Sequence, residues 1–275
     1  MRIALVLLAV VLQAFLASGP LAAEREILLA TTTSVQDSGL LDALLPEFTR
    51  ETGVAVRVIA VGSGAALRMG SDGNADVVLS HAPAAELELM KTNVFAARTP
   101  FMENHFLIAG PAEDPAGVRE ASDGADAFRR IAAAKAALVS RGDDSGTHKR
   151  EQELLLAAGL ESRPEWPGVV RTGAGMGPTL LVAGEKRAYV LSDLATFLAF
   201  QKRTGLARLT RAPDDLRNVY SLLPVRPDAF PGRIHAEDSA IFVEWMLRPK
   251  TARVIAEFGR EAHGEPLFRP LEPAR

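Results

Sequence analysis

The sequence predicts an α/β fold, on three observations. Short apolar runs alternate with helix-period segments along most of the chain. Four of those runs lead into turns rich in glycine, serine or threonine and then into a helix. The chain's 275 residues exceed one small module and suit one large domain or two lobes. Hydrophobic residues make up 48% and charged residues 24%, an ordinary globular mixture able to bury a core.

The elements follow in order. Arg2, the apolar run Ile3–Leu16 and the small-residue stretch Ala17–Ala23 have the layout of a secretory signal peptide cleaved after Ala23. The run is short of the roughly 20 apolar residues of a membrane span, and Pro20 closes it. Strands are expected at Ile27–Ala30, Val54–Val61, Val77–Ser80, Phe106–Ala109, Ala137–Ser140, Val169–Arg171, Tyr189–Ser192 and Val219–Val225. Leu40, Leu41, Leu44, Leu45 and Phe48 share one face of a helix, which Pro46 should kink or loosen. Further helices are expected at 125–136, 147–158 with Gly159 as a left-handed cap, 193–203, 238–247 and 251–260, with Pro249 separating the last two.

Composition excludes several functions. The chain has no cysteine, so disulfides, thiolate metal sites, cysteine nucleophiles and a cysteine-linked lipid are ruled out. The 31 basic and 34 acidic side chains give −3, and no basic run exceeds Lys149-Arg150, which argues against a nucleic-acid surface. The five histidines show no zinc-type spacing. Ser145, His148 and Asp144 are sequence neighbours without a nucleophile elbow, so no hydrolytic triad is read there.

The four turns are Thr31–Ser34, Gly62–Gly64, Ser140–Thr147 and Gly173–Pro178. A helix start leaves backbone N–H groups unpaired at the positive end of the helix dipole, so such a turn can hold an anion. Singly, each reads as a well-capped helix start; four in one chain point to a shared site. None has dinucleotide or phosphate-loop spacing. Arg141 is the expected charged contact, because its planar fork can give two parallel hydrogen bonds to one oxyanion. The alternative for Arg141 is a surface ion pair with Asp143 or Asp144. Met176 and Trp166 read as core or hinge packing.

Thr31-Thr32-Thr33-Ser34 followed by Asp37-Ser38-Gly39-Leu40-Leu41, together with Ser140-Arg141-Gly142-Asp143-Asp144-Ser145-Gly146-Thr147-His148, resembles the tungstate-binding proteins of ABC transporters. The resemblance continues through Asp76–Ala82, Asn104–Gly110, Gly175-Met176-Gly177 and Ala183-Gly184-Glu185, in the same order over essentially the whole mature chain. It implies a type II periplasmic-binding-protein fold, with two lobes of mixed sheet joined by two crossing hinge strands. The crossings fall at Asn104–Gly110 and Asn218–Val225. Lobe I would be 24–108 with 218–275, and lobe II 109–217.

The same resemblance implies the oxyanion-binding residues. Lobe I would supply Thr32, Thr33, Ser34 and Ser63; lobe II would supply Arg141, Ser145, Gly146 and Thr147, with Gly175 and Met176 as looser assignments. Pro83 and Leu194 depart from the family pattern, where arginine is common. The implied protein is a monomeric periplasmic receptor, not an enzyme, that needs no cofactor and hands its anion to a membrane permease. Molybdate and phosphate remain alternative ligands, since Asp143 or Asp144 could accept the proton of a monoprotonated phosphate.

Overall fold

The computed structural model describes residues 25–162, 164–210 and 216–271; the expected signal peptide, residues 1–23, lies outside them. The strands are β1 (Glu26–Thr32), β2 (Ala55–Val61), β3 (Val77–Ser80), β4 (Thr99–Gly110), β5 (Leu138–Ser140), β6 (Val169–Arg171), β7 (Tyr189–Asp193), β8 (Ala207–Arg208), β9 (Arg217–Pro224) and β10 (Arg269–Pro270). The helices are α1 (Thr33–Asp37), α2 (Leu40–Thr52), α3 (Ser63–Ser71), α4 (Pro83–Met90), α5 (Gly124–Ala133), α6 (Gly146–Ala157), α7 (Met176–Glu185), α8 (Leu194–Thr204), α9 (Ala236–Leu247), α10 (Pro249–Glu257) and α11 (Arg260–His263). One 3-10 turn, Val118–Glu120, lies in the polar stretch before α5, and another, Pro227–Ala229, follows β9.

The strand order is β2-β1-β3-β9-β4-β7-β5-β6, with β10 and β8 attached to β4. Strand β4 is the shared element. Its first part, Thr99–His105, pairs antiparallel with β9, and its second part, Phe106–Ala109, pairs antiparallel with β7. On one side β1 runs parallel to β2 and β3; on the other β5 runs parallel to β6 and β7. Two mixed sheets therefore meet on one strand, and ordered chain joins the lobes. The second crossing is displaced from its expected place. Asn218–Pro224 is an interior strand of the first sheet, paired with both β3 and β4, so the chain crosses ahead of Arg217.

Each sheet is covered on both faces. In the first lobe the stripe Leu40, Leu41, Leu44 and Phe48 of α2 is buried as its spacing predicts. Phe48 meets Phe242 and Trp245 edge-on, with ring centroids 5.3 and 5.5 Å apart. Pro46 is accommodated without ending α2, which runs on to Thr52 and stops at Gly53 with φ 69°. In the second lobe Phe128, Leu155 and Tyr189 anchor one cluster, while Met176, Leu180 and Phe197 anchor the other. Ala195 and Leu198 of α8 pack into the first lobe's core, so the two lobes are in contact. Pro249 opens α10 at its first position, where its missing N–H costs nothing.

Candidate functional site

Each of the four turns stands at the C-terminal end of a strand and opens a helix: β1 into α1, β2 into α3, β5 into α6, and β6 into α7. The fold brings them together across the lobes. Gly146 N–H donates to Ser63 Oγ at 3.1 Å. A Cβ on Gly175 would lie 3.6 Å from Thr33 Oγ1, and one on Gly64 would lie 3.2 Å from Asp144 Oδ2. The Asp37 carboxyl group lies near enough to Gly177 N–H for that dipole to favour its charged form. Glycine at 146 permits the close approach, since a Cβ there would lie 2.8 Å from Ser63 Oγ.

Four donor atoms in these turns are buried without a protein partner: Thr31 Oγ1 and Thr33 Oγ1 from the first lobe, and Arg141 Nε and Thr147 Oγ1 from the second. Buried polar groups are nearly always hydrogen-bonded, and an unmade bond costs about 1–3 kcal/mol. Such donors, gathered in turns that the fold brings together, call for an acceptor. Arg141 is itself buried, with a side chain only 4% exposed. One Nη2–H donates to Asp143 Oδ2 at 2.6 Å, while Asp143 Oδ1 accepts from Ser145 N–H at 3.3 Å. Arg141 thus makes the expected ion pair with Asp143, yet away from the surface. Asp144 turns outward, 3.7 Å from Lys149.

A family model described as a PBP superfamily domain matches residues 18–248. The tungstate-binding protein TupA of Peptoclostridium acidaminophilum is 44% identical to this chain, over 90% of it and 86% of the relative. The chain belongs to that family. Among solved structures, the tungstate-binding protein TupA of Desulfovibrio alaskensis superposes with a TM-score of 0.77 at 40% identity, covering 90% of this chain and 99% of the other. A tungstate ABC transporter chain of Geobacter sulfurreducens gives 0.78 at 38% identity, covering 86% and 100%. These likenesses carry the type II periplasmic-binding fold with its two lobes and hinge.

The remaining TupA-family positions fall into distinct places. Ser145 caps α6, its Oγ accepting from His148 N–H at 3.2 Å. Ser34 is turned inward: its Oγ lies 3.1 Å from Thr32 Oγ1 and 3.4 Å from His81 Nε2. Met176 is fully buried in the second lobe's core and serves packing. Both departures have structural roles. Pro83 opens α4, and Leu194 is buried in the core beside Met176. Pro83 also borders a cavity of about 210 Å³ that opens between the lobes beside His81, Gly146 and Lys149.

Sequence reasoning missed His81, Asp37, Asp193 and Asn218. His81 follows the C-terminal end of β3, the same kind of position as the four turns, and that was its available signal. Burial pushes the His81 pKa down to about 4, aided by the Arg141 charge and opposed by its hydrogen bond to Asn218. Burial raises the carboxyl pKa values of Asp37 and Asp193, and in both the Arg141 charge acts in the opposite sense. Arg141 is therefore the shared positive charge acting on both Asp37 and the buried Asp193. Among the described residues no group of His, Asp and Glu could hold a metal ion.

Proposed function

We propose that the chain is an exported solute-binding protein that captures tungstate between its lobes and delivers it to the permease of an ABC transporter. The observation that carries this reading is the presence of buried, unpartnered donors in turns from opposite lobes, above all Thr33, Arg141 and Thr147. An anion accepting from all three would satisfy each donor and bridge the lobes. Ser63, Ser145, Gly146 and Gly175 line the same junction; Thr32 and Ser34 brace its first turn. The proposed lobes are 24–108 with 218–275, and 109–217, with residues 1–23 as the export signal and the periplasm as the destination. Among the described residues no helix is long and apolar enough to cross a membrane.

The donor set favours a fully deprotonated tetrahedral dianion. Asp143, the acid beside Arg141, has both oxygens engaged by Arg141 and Ser145 N–H. Both of its oxygens are thus committed to donors of its own lobe, and Asp144 turns outward toward Lys149, so neither acid is set to receive the proton of a monoprotonated phosphate. Molybdate has the charge and shape of tungstate and is its nearest competitor.

Binding without catalysis suits the same geometry. Ser34, His81 and Asn218 superficially resemble a nucleophile, base and orienting group. Burial leaves His81 a poor base near pH 7, however, and Ser34 is enclosed. Capture by a monomer then needs only hinge closure around the anion, with no cofactor.

Arg141→Lys keeps the charge and loses the fork. It should weaken tungstate binding about 10-fold to 100-fold, the scale of a charged hydrogen bond, without altering the unfolding midpoint by more than a few degrees. Calorimetry showing unchanged affinity would remove Arg141 from the site.

A further inference from the structure

His81 is enclosed by both lobes and the hinge. Asn218 Nδ2 donates to Asn104 Oδ1 at 2.8 Å and to Tyr220 Oη at 2.9 Å, which turns Asn218 Oδ1 toward the imidazole. His81 Nδ1, 2.8 Å from that oxygen, must then carry the hydrogen. In the neutral ring Nε2 is left as an acceptor, and the hydroxyl it faces is Ser34, at a long 3.4 Å. The Tyr220 ring lies against the imidazole with centroids 4.8 Å apart. From the opposite lobe, a Cβ on Gly146 would come within 2.9 Å of His81 Cε1 and 2.8 Å of Ser63 Oγ.

We propose that His81 is a positioning residue for anion capture: held by Asn218, it braces Ser34 and forms the wall on which Gly146 seats when the lobes close. This rests on the oxyanion-binding reading above. Ser34 and Thr32 hold the turn whose intervening hydroxyl, Thr33 Oγ1, is an unpartnered donor of the first lobe. Giving the Ser34 hydrogen to Nε2 and the Thr32 hydrogen to Ser34 links the three groups in one chain of hydrogen bonds. His81 acts through Ser34 and does not touch the anion. Arg141, the cation facing this group from the second lobe, acts against a charged imidazole there and so favours the acceptor state.

Two substitutions separate the halves of the imidazole. His81→Asn can keep a donor toward Asn218 and loses the acceptor for Ser34. His81→Gln places an amide oxygen near the position of Nε2 and keeps that acceptor. Tungstate is titrated calorimetrically into the wild-type chain and into both variants, each with Ser34 intact and with Ser34→Ala.

The expected result is an affinity about tenfold weaker for His81→Asn, the scale of one hydrogen bond, largely recovered in His81→Gln. The gap between the two should vanish in the Ser34→Ala background, as coupling through Ser34 requires. A gap of equal size without the Ser34 hydroxyl, or His81→Asn binding as tightly as wild type, overturns the proposal. If the wild-type chain takes up no tungstate, the functional reading itself fails. Nitrogen NMR of the wild-type chain checks the same point without substitution. Hydrogen on Nδ1 with Nε2 bare at neutral pH supports it, and hydrogen on Nε2 overturns it.

Discussion

Gly146→Ala separates the stability of the protein from its ability to close. Gly146 is the first residue of α6 and is absent from the positive-φ glycines, so its backbone tolerates alanine. Within a helix, alanine is favoured over glycine by about 1 kcal/mol, less at an end position. The added methyl, however, would lie 2.8 Å from Ser63 Oγ and 2.9 Å from the His81 ring, both in the facing lobe. Overpacking of this kind costs about 1–3 kcal/mol, and only the closed form suffers it. The closed form is the one that completes the donor set, so tungstate affinity should fall about 5-fold to 150-fold. Calorimetry gives the affinity, urea unfolding of the unliganded chain gives stability, and small-angle scattering with excess tungstate reports closure. Reduced affinity with unchanged or raised stability is expected. Wild-type affinity and full closure would refute the argument that the lobes meet at Gly146.

Two further outcomes follow from buried groups. Thr147→Val removes an orphaned hydroxyl at nearly constant shape; it should weaken tungstate binding by about 1–3 kcal/mol while leaving the unliganded protein as stable or more so, because no internal bond is lost. Equal losses of affinity and stability would give Thr147 a structural role instead. Glu151, buried in α6, has its pKa pushed up to about 7 by burial, opposed by a hydrogen bond from Ser140 and by the Arg171 charge. A raised acid pKa means that the folded state holds its proton more tightly, so stability falls as pH rises from about 4.5 through 7, by up to about 3 kcal/mol. Glu151→Gln should therefore gain stability over wild type at pH 8 relative to pH 5 in urea unfolding; an identical difference at both pH values would contradict this.

The fold was legible where local pattern and tertiary demand agreed. All eight expected strands exist, and α2, α6, α8, α9 and α10 lie within a few residues of their expected places. The two-residue strands β8 and β10 carry no pattern of their own; β8 pairs with the edge of β4 opposite to β7, and β10 with the edge opposite to β9. The short α4 also lacks an apolar stripe, and tertiary contacts hold it instead. Glu86 is fully buried and accepts from Ser80 Oγ, Ala82 N–H and Arg98 Nε.

At the site, the turns were legible because glycine and hydroxyl residues before a helix have a local physical meaning. The hydrogen-bond direction of each hydroxyl was not. Ser34 and Thr33 are adjacent in sequence, yet one is committed to His81 and the other has no partner. The His81–Asn218 contact joins residues 137 positions apart, which no spacing rule reaches. Arg141 shows both of its expected faces, because an ion pair two residues away leaves Nε unpaired and buried.

The most direct measurement is a competitive calorimetric titration of the mature chain with tungstate, molybdate, sulfate and phosphate at neutral pH. Tungstate binding tightest, molybdate next and phosphate far weaker is the predicted order, with tungstate affinity weakened in Arg141→Lys and Thr147→Val. Phosphate binding tightest, or saturable binding of none of the four, would contradict a cradle of buried donors built for a fully deprotonated oxyanion.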